Sequence, residues 1–143
     1  MPRRFRLGGV LRARQAQEKV AKGAVLRAHE EERAARDLAA TAERSLLERP
    51  TVDGGPAPWW VAAMAARSAL AGELAAAERF ADERSERVTE RTGELTDAAI
   101  RRRSVETLAE RHEAAEQQEE LADDQRALDE IATNRRPTEG TEE

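Results

Sequence analysis

The chain has 143 residues, enough for one ordinary domain, but its composition excludes a thick globular core. Charged residues make up 37% and aromatic residues 3%, and 29 of the hydrophobic residues are alanine, which buries little surface. The net charge of −5 is unevenly distributed, with five arginines and no acid in residues 1–15 and ten acids against three arginines in residues 116–143. The absence of cysteine excludes a disulfide framework and a thiolate metal site.

A first long helix is predicted over residues 3–49. Alanine, glutamate, arginine and leucine all favour helix, and the apolar residues recur about every 3.5 residues. The apolar positions are Leu7, Val10, Leu11, Val20, Val25, Leu26, Leu38, Leu46 and Leu47, with Ala21, Ala24, Ala28, Ala35 and Ala42 between them. Pro50 ends this pattern, and residues 50–58 (PTVDGGPAP) predict a turn.

A second long helix is predicted over residues 59–136, which contain no proline. Residues 101–136 are very polar, and their larger apolar residues are widely spaced. They are Val105, Leu108, Leu121, Leu128 and Ile131. Such a narrow stripe is typical of a coiled-coil seam, and the spacing slips between residues 108 and 121, which predicts a stutter. Pro137 ends the helix, and residues 137–143 predict a short, acidic, disordered tail.

These elements predict an all-α fold, a two-stranded antiparallel coiled-coil hairpin of long helices. With a reversal at residues 50–58, residues 3–49 pair with about residues 58–104 and residues 105–136 overhang. Within that stretch, the earlier half, with Val105 and Leu108, is expected to close the end of the seam, and the later half is expected to dock. An alternative places the reversal later, near Gly72 or Gly93. In either version the polar C-terminal helix needs a covering partner to be stable.

The sequence contains no recognisable catalytic motif. It contains no phosphate-binding loop, dinucleotide fingerprint, zinc-protease motif or calcium-binding loop, and its two histidines, His29 and His112, lie on separate helices. Carboxylates on exposed helix faces have no pocket to perturb their pKa values. We therefore expect no enzyme, no cofactor, no metal site and no small-molecule substrate.

The basic N-terminal segment lacks interleaved aromatic residues, so nucleic-acid binding is not expected. A basic amphipathic helix that touches a membrane surface is the alternative for this segment. No apolar run exceeds eight residues, so we expect neither a membrane span nor a signal peptide, and a chain that stays inside the cell.

Two groups of apolar residues allow both a structural and a functional interpretation. Trp59 and Trp60 either fasten the turn onto the helix that follows or anchor a partner. A second group repeats at steps of four, three and four, and forms either the intramolecular seam or a groove for a partner. Its members are Leu70, Leu74, Ala77 and Ala81.

Both ends of the chain resemble the flagellar export protein family FliJ. The N-terminal match consists of an aromatic, basic and leucine start, a Val-Leu-Arg stretch and a Gln-Glu pair. Its residues are Phe5, Arg6, Leu7, Val10, Leu11, Arg12, Gln17 and Glu18. The C-terminal match consists of Glu106, Leu108, Glu110 and Arg111, then Leu128, Asp129, Glu130, Ile131 and Ala132. The segment PTVDGGPAPWW has no counterpart in the family pattern.

The resemblance implies a non-catalytic component of the flagellar type III export apparatus, with roles in flagellum biogenesis, protein export and chemotaxis. It implies a stalk-like coiled coil that docks on the export ATPase hexamer and couples it to the export gate membrane protein and the export chaperones. The implied location is the cytoplasm, at the cytoplasmic face of the inner membrane.

The residues implied at the ATPase-facing tip are Phe5, Leu7, Leu11, Leu128, Asp129 and Ile131. By position alone, Leu70, Leu74, Ala77 and Ala81 form the candidate export gate patch. A generic homodimeric coiled-coil scaffold, or a stalk protein of a non-flagellar secretion system, is the alternative function.

Overall fold

A computed structural model describes residues 7–134, which form two helices and no strand. Helix α1 spans Leu7–Leu47 and helix α2 spans Ala57–Asn134. At 1.5 Å per residue their lengths are about 60 Å and 117 Å. The helices pack against each other in antiparallel order, because Arg84 pairs with Glu31 and the later Arg102 with the earlier Glu18. The all-α helical hairpin predicted from the sequence is confirmed, and the predicted tail at 137–143 lies outside the described residues.

The chain reverses between Leu47 and Ala57, while Gly72 and Gly93 lie inside α2. Pro50 ends α1, whose last turn closes with the Glu48 amide donating to the Arg44 carbonyl at 2.9 Å. At the start of α2, the Pro56 carbonyl accepts hydrogen bonds from the amides of the two tryptophans that follow, at 3.0 and 3.4 Å. Proline lacks an amide hydrogen, so Pro58 fits the first turn, and α2 starts two residues before the predicted residue 59.

A heptad seam runs along both helices, in which the half-buried and buried positions alternate at steps of four and three. On α1 these positions are Leu7, Leu11, Arg14, Glu18, Ala21, Val25, Ala28, Glu32, Ala35, Ala39, Ala42 and Leu46. On α2 they are Ala63, Arg67, Leu70, Leu74, Ala77, Ala81, Arg84, Val88, Arg91, Leu95, Ala98, Arg102, Val105, Ala109, His112 and Glu116. This repeat is the signature of coiled-coil packing.

Alanine forms the interior of the seam. Within residues 7–134 only Ala28, Ala35 and Ala81 are buried, at 4%, 1% and 9% exposure. Most of the larger apolar residues of α1 lie outside the seam and are exposed. They are Val10, Val20, Leu26, Leu38 and Leu47. Small seam residues let two helices approach closely, so this hairpin is a thin rod with little core.

The register differs from the predicted one. The two inter-helix ion pairs place Leu46 opposite about residues 69–74 of α2, because it lies 28 residues after Glu18 and 15 after Glu31. The first three turns of α2 therefore extend past the end of α1, beside the turn segment. The seam continues through Val105 to Glu116, so the exposed part of α2 begins at residue 117 rather than at residue 105. Val105 is half-buried in the seam as expected, whereas Leu108 is exposed.

Candidate partner-binding surfaces

The last 18 described residues of α2, 117–134, form an overhang with every residue exposed. Six carboxylates and one arginine give it a net charge of −5. Its three larger apolar side chains, Leu121, Leu128 and Ile131, are 69%, 61% and 54% exposed. Asp129 is also exposed and accepts a hydrogen bond from Gln125 at 3.2 Å. The overhang is thus an uncovered helix of about 27 Å.

The apolar residues of the overhang lie on the opposite face of α2 from the seam. Seam positions continued beyond Glu116 fall at Glu119, Asp123, Arg126 and Glu130, which are all charged. Leu121 and Leu128 each follow a seam position by two residues, or about 200° around the helix. The seam does not slip before Glu116, contrary to the stutter predicted between residues 108 and 121; the apolar residues change faces instead.

This opposite face, the outer stripe, also extends back beside the paired part of the hairpin. Ile100 precedes Leu121 by three heptads and is 58% exposed, and Leu108, about 80° around the helix from Ile100, is 52% exposed. Ile100, Leu108 and Arg111 line one shallow groove. The outer stripe was missed from the sequence, although the seven-residue multiples that separate Ile100, Leu121 and Leu128 carry its signal.

The N-terminal residues predicted for the same tip lie elsewhere on the rod. Leu7 and Leu11 are half-buried seam residues, and Phe5 lies outside the described residues. From the two ion pairs, Leu7 lies opposite about residues 108–113, which is roughly 22–30 Å along α2 from Leu128. The structure therefore does not bring Leu7 and Leu11 together with Leu128, Asp129 and Ile131.

Two ion pairs connect the helices. Arg102 Nε lies 2.5 Å from Glu18 Oε2, and its Nη1 lies 2.7 Å from Glu106 Oε2 on the same helix. Arg84 Nη1 lies 3.0 Å from Glu31 Oε2, and the Arg84 guanidinium also stacks over Phe80 at 4.7 Å. Glu18, Arg84 and Arg102 at seam positions, together with Glu31 beside the seam, thus fix which residues of α1 and α2 face each other.

Arg91, at another seam position, pairs with its own helix. Its hydrogen bond to Glu94 at 2.8 Å, together with the charge of that carboxylate, raises the pKa of the guanidinium above its ordinary value. The positive charge at this position is therefore permanent.

The candidate gate patch lies in the seam. Leu70, Leu74 and Ala77 are half-buried and Ala81 is buried, all at heptad positions that face α1. They therefore take part in the packing of α2 against α1. Their role in partner binding stays a prediction.

The turn end of the hairpin carries the two tryptophans, which differ in their surroundings. Trp60, 52% exposed, lines a cavity of about 210 Å³ between the turn and α2. The other lining residues are Pro50, Thr51, Val52, Asp53, Ala63, Met64 and Arg67. Trp59 is 73% exposed and does not line this cavity. The position of Trp60 in this cavity agrees with a role in holding the turn against α2, whereas the Trp59 ring is exposed to solvent.

Residues 7–134 contain no group of three or more histidine, aspartate or glutamate side chains placed to hold a metal ion. Neither α1 nor α2, over the described range, combines the length and hydropathy of a membrane-spanning segment.

The fold and its surfaces define a class of protein: a rod-like α-helical hairpin that offers exposed ends and an outer stripe rather than a pocket. The model of the flagellar FliJ protein family matches residues 3–137, nearly the whole chain. The chain therefore belongs to the FliJ family and is a component of the flagellar export apparatus. No curated protein and no solved structure gives a significant match.

Proposed function

We propose that this protein is a stalk that docks its overhang on the hexameric export ATPase, promotes the assembly and activity of that ring, and couples it to the export gate and export chaperones. Family membership supports the setting. The observation that carries the proposal is the uncovered overhang, residues 117–134, with its exposed outer stripe.

A physical argument favours the overhang as the docking element. An isolated helix of 18 residues is marginal in water, and most helical stability in proteins comes from packing of an apolar face. Leu121, Leu128 and Ile131 supply such a face, and no residue of α1 reaches them. A partner that covers these side chains removes apolar surface from water and orders the helix in one step.

The charge of the overhang also indicates the charge of the partner's surface. The overhang has a net charge of −5, so the complementary face is basic. The proposed docking site on the ATPase ring is therefore an apolar strip with basic residues beside it. Leu7 and Leu11 support this end indirectly, because they hold α1 against α2 just before the overhang begins.

Contacts with the export gate and the chaperones belong to the same proposal. They give the protein a location at the cytoplasmic face of the inner membrane. The candidate patch of Leu70, Leu74, Ala77 and Ala81 packs against α1, so a gate partner would meet only the exposed margins of this row.

The test is stimulation of the purified export ATPase by the full chain. The double substitution Leu128→Asp and Ile131→Asp places two charges in the outer stripe, and we expect stimulation to fall about tenfold or more, as at interface hot spots. The matched control is Leu26→Asp with Leu38→Asp, which changes two exposed leucines of α1 at 67% and 59% exposure. This control should stimulate normally.

Equal stimulation by both double variants, with unchanged circular dichroism, would contradict docking through the overhang. Light scattering tests the alternative scaffold function. We expect a monomer near 15.9 kDa, because α1 covers the seam of α2 within one chain. A stable dimer would favour the homodimeric scaffold.

A further inference from the structure

The turn end of the rod is chemically unlike the rest of the chain. Residues 54–66 contain no charged residue, although 37% of the whole chain is charged. Asp53 and Arg67 bound this run. The uncharged run covers the second half of the turn and the first turns of α2, which extend past the end of α1.

Large apolar side chains at this end are exposed in several directions. Trp59, Trp60 and Val61 are 73%, 52% and 61% exposed, and Met64 is 49% exposed. Three consecutive helical residues point about 100° apart, so these side chains surround the helix rather than form one stripe. A groove on a partner protein covers one face of a helix, whereas the exposed apolar side chains from Trp59 to Val61 span about 200° around this helix.

We propose that the turn end, residues 54–66, inserts end-on into the boundary between headgroups and acyl chains of a lipid bilayer. Tryptophan prefers this boundary, because its ring is apolar and its indole N–H remains hydrogen-bonded. An uncharged rod end enters it without burying a charge, and Arg67 at the margin has a stem long enough to keep its guanidinium in the headgroup layer.

Charge determines the orientation of the rod. The overhang, with a net charge of −5, lies near the other end of α2, about 100 Å from Trp60. This separation is far beyond the screening length of about 8 Å at physiological salt, so the overhang does not oppose insertion of the turn end. A rod lying flat on an anionic surface would bring these carboxylates against it. End-on insertion into neutral lipid is therefore favoured, and it should be insensitive to salt.

The chain contains its own reporter, because its two tryptophans both lie at this end and it has no tyrosine. With the full chain and phosphatidylcholine vesicles, we expect tryptophan emission to shift to shorter wavelength, and brominated acyl chains to quench it. Trp59→Ser should weaken cosedimentation with vesicles about tenfold, because it removes a large apolar side chain from the inserted end. Trp60→Ser should have a smaller effect, since this ring is partly covered by the turn.

The matched control is Leu26→Ser with Leu38→Ser, two exposed leucines of α1 with no proposed binding role, which should sediment with vesicles like the unchanged chain. Unshifted emission with neutral vesicles would overturn the proposal, as would binding that requires phosphatidylglycerol and disappears at high salt. This assay contains no ATPase, so its result is separate from docking of the overhang, and failure of either proposal leaves the other intact.

Discussion

The part of α2 that pairs with α1 and the overhang differ in how far other residues shield their side chains from solvent. From about residue 70 to residue 116, positions that face α1 are half-buried or buried, with Ala81 at 9% exposure. From residue 117 to 134 no position is covered, and the three larger apolar residues are more than half exposed. In the paired part the buried residue is an alanine and the leucines and valines of the seam are half-buried, whereas in the overhang the large apolar residues are exposed. Apolar size in this protein therefore marks candidate partner surfaces more than the interior.

Hydrogen exchange should show the largest difference between the two parts. Amides around Ala81 open only when the hairpin opens, whereas those of residues 117–134 belong to a helix that no other element covers. We expect protection around Ala81 to exceed that of the overhang by roughly a hundredfold or more. Equal protection of the paired part of α2 and of the overhang, in a sample that light scattering shows to be monomeric, would contradict this difference in stability.

Changing a buried alanine should destabilise this protein more than truncating an exposed leucine, which is the reverse of the usual order. Ala35→Leu overfills the seam at a position with 1% exposure, and we expect a loss of about 1–3 kcal/mol in the free energy of unfolding. Leu121→Ala, at 69% exposure, should change it by less than about 0.5 kcal/mol. Thermal unfolding by circular dichroism measures both.

The matched control for the seam substitution is the neighbouring exposed position, as Ala34→Leu. It adds the same side chain one residue away and should leave the unfolding temperature nearly unchanged. If Ala34→Leu and Ala35→Leu were equally tolerated, the alanine seam would not be the packed interface.

The smallest expected effect concerns the ion pair between Glu31 and Arg84. Glu31→Gln removes a pair whose side chains are 53% and 32% exposed, so we expect a loss of about 0–1 kcal/mol that diminishes with salt. Glu30→Gln, on a residue with no inter-helix pair among the described residues, is the control. A salt-independent loss above this range would show that Glu31 contributes by more than charge.

The sequence predicted the class of fold, and the structure has the reversal between Leu47 and Ala57. Two proline-free helical runs and one segment with three prolines and two glycines leave few other solutions. The register could not be predicted in the same way, because it depends on how the turn lies beside α2. The turn segment accompanies the first turns of α2, which moves the start of the overhang from the predicted residue 105 to residue 117.

The candidate surfaces were predicted only in part. Leu128, Asp129 and Ile131 are exposed, as a docking surface requires, but Leu7 and Leu11 face α2. In the first helix the larger apolar residues were predicted to form the apolar positions. Its inner face is instead marked by the heptad repeat of Ala21, Ala28, Ala35 and Ala42. Since alanine also occurs on exposed helix surfaces, only its repeat at steps of seven distinguishes the buried ones.

The alanine seam has a mechanical consequence. Interlocking large side chains give a coiled coil one deep energy minimum along its axis, whereas the alanines that repeat at steps of seven in this seam offer similar contacts after a slide of one heptad. Such a slide would move α1 along α2 by about 10 Å and change the reach of the rod by the same amount. The pairs of Arg102 with Glu18 and of Arg84 with Glu31 are the contacts that oppose it. These four charged side chains therefore hold α1 and α2 in one register and set how far the overhang projects beyond α1.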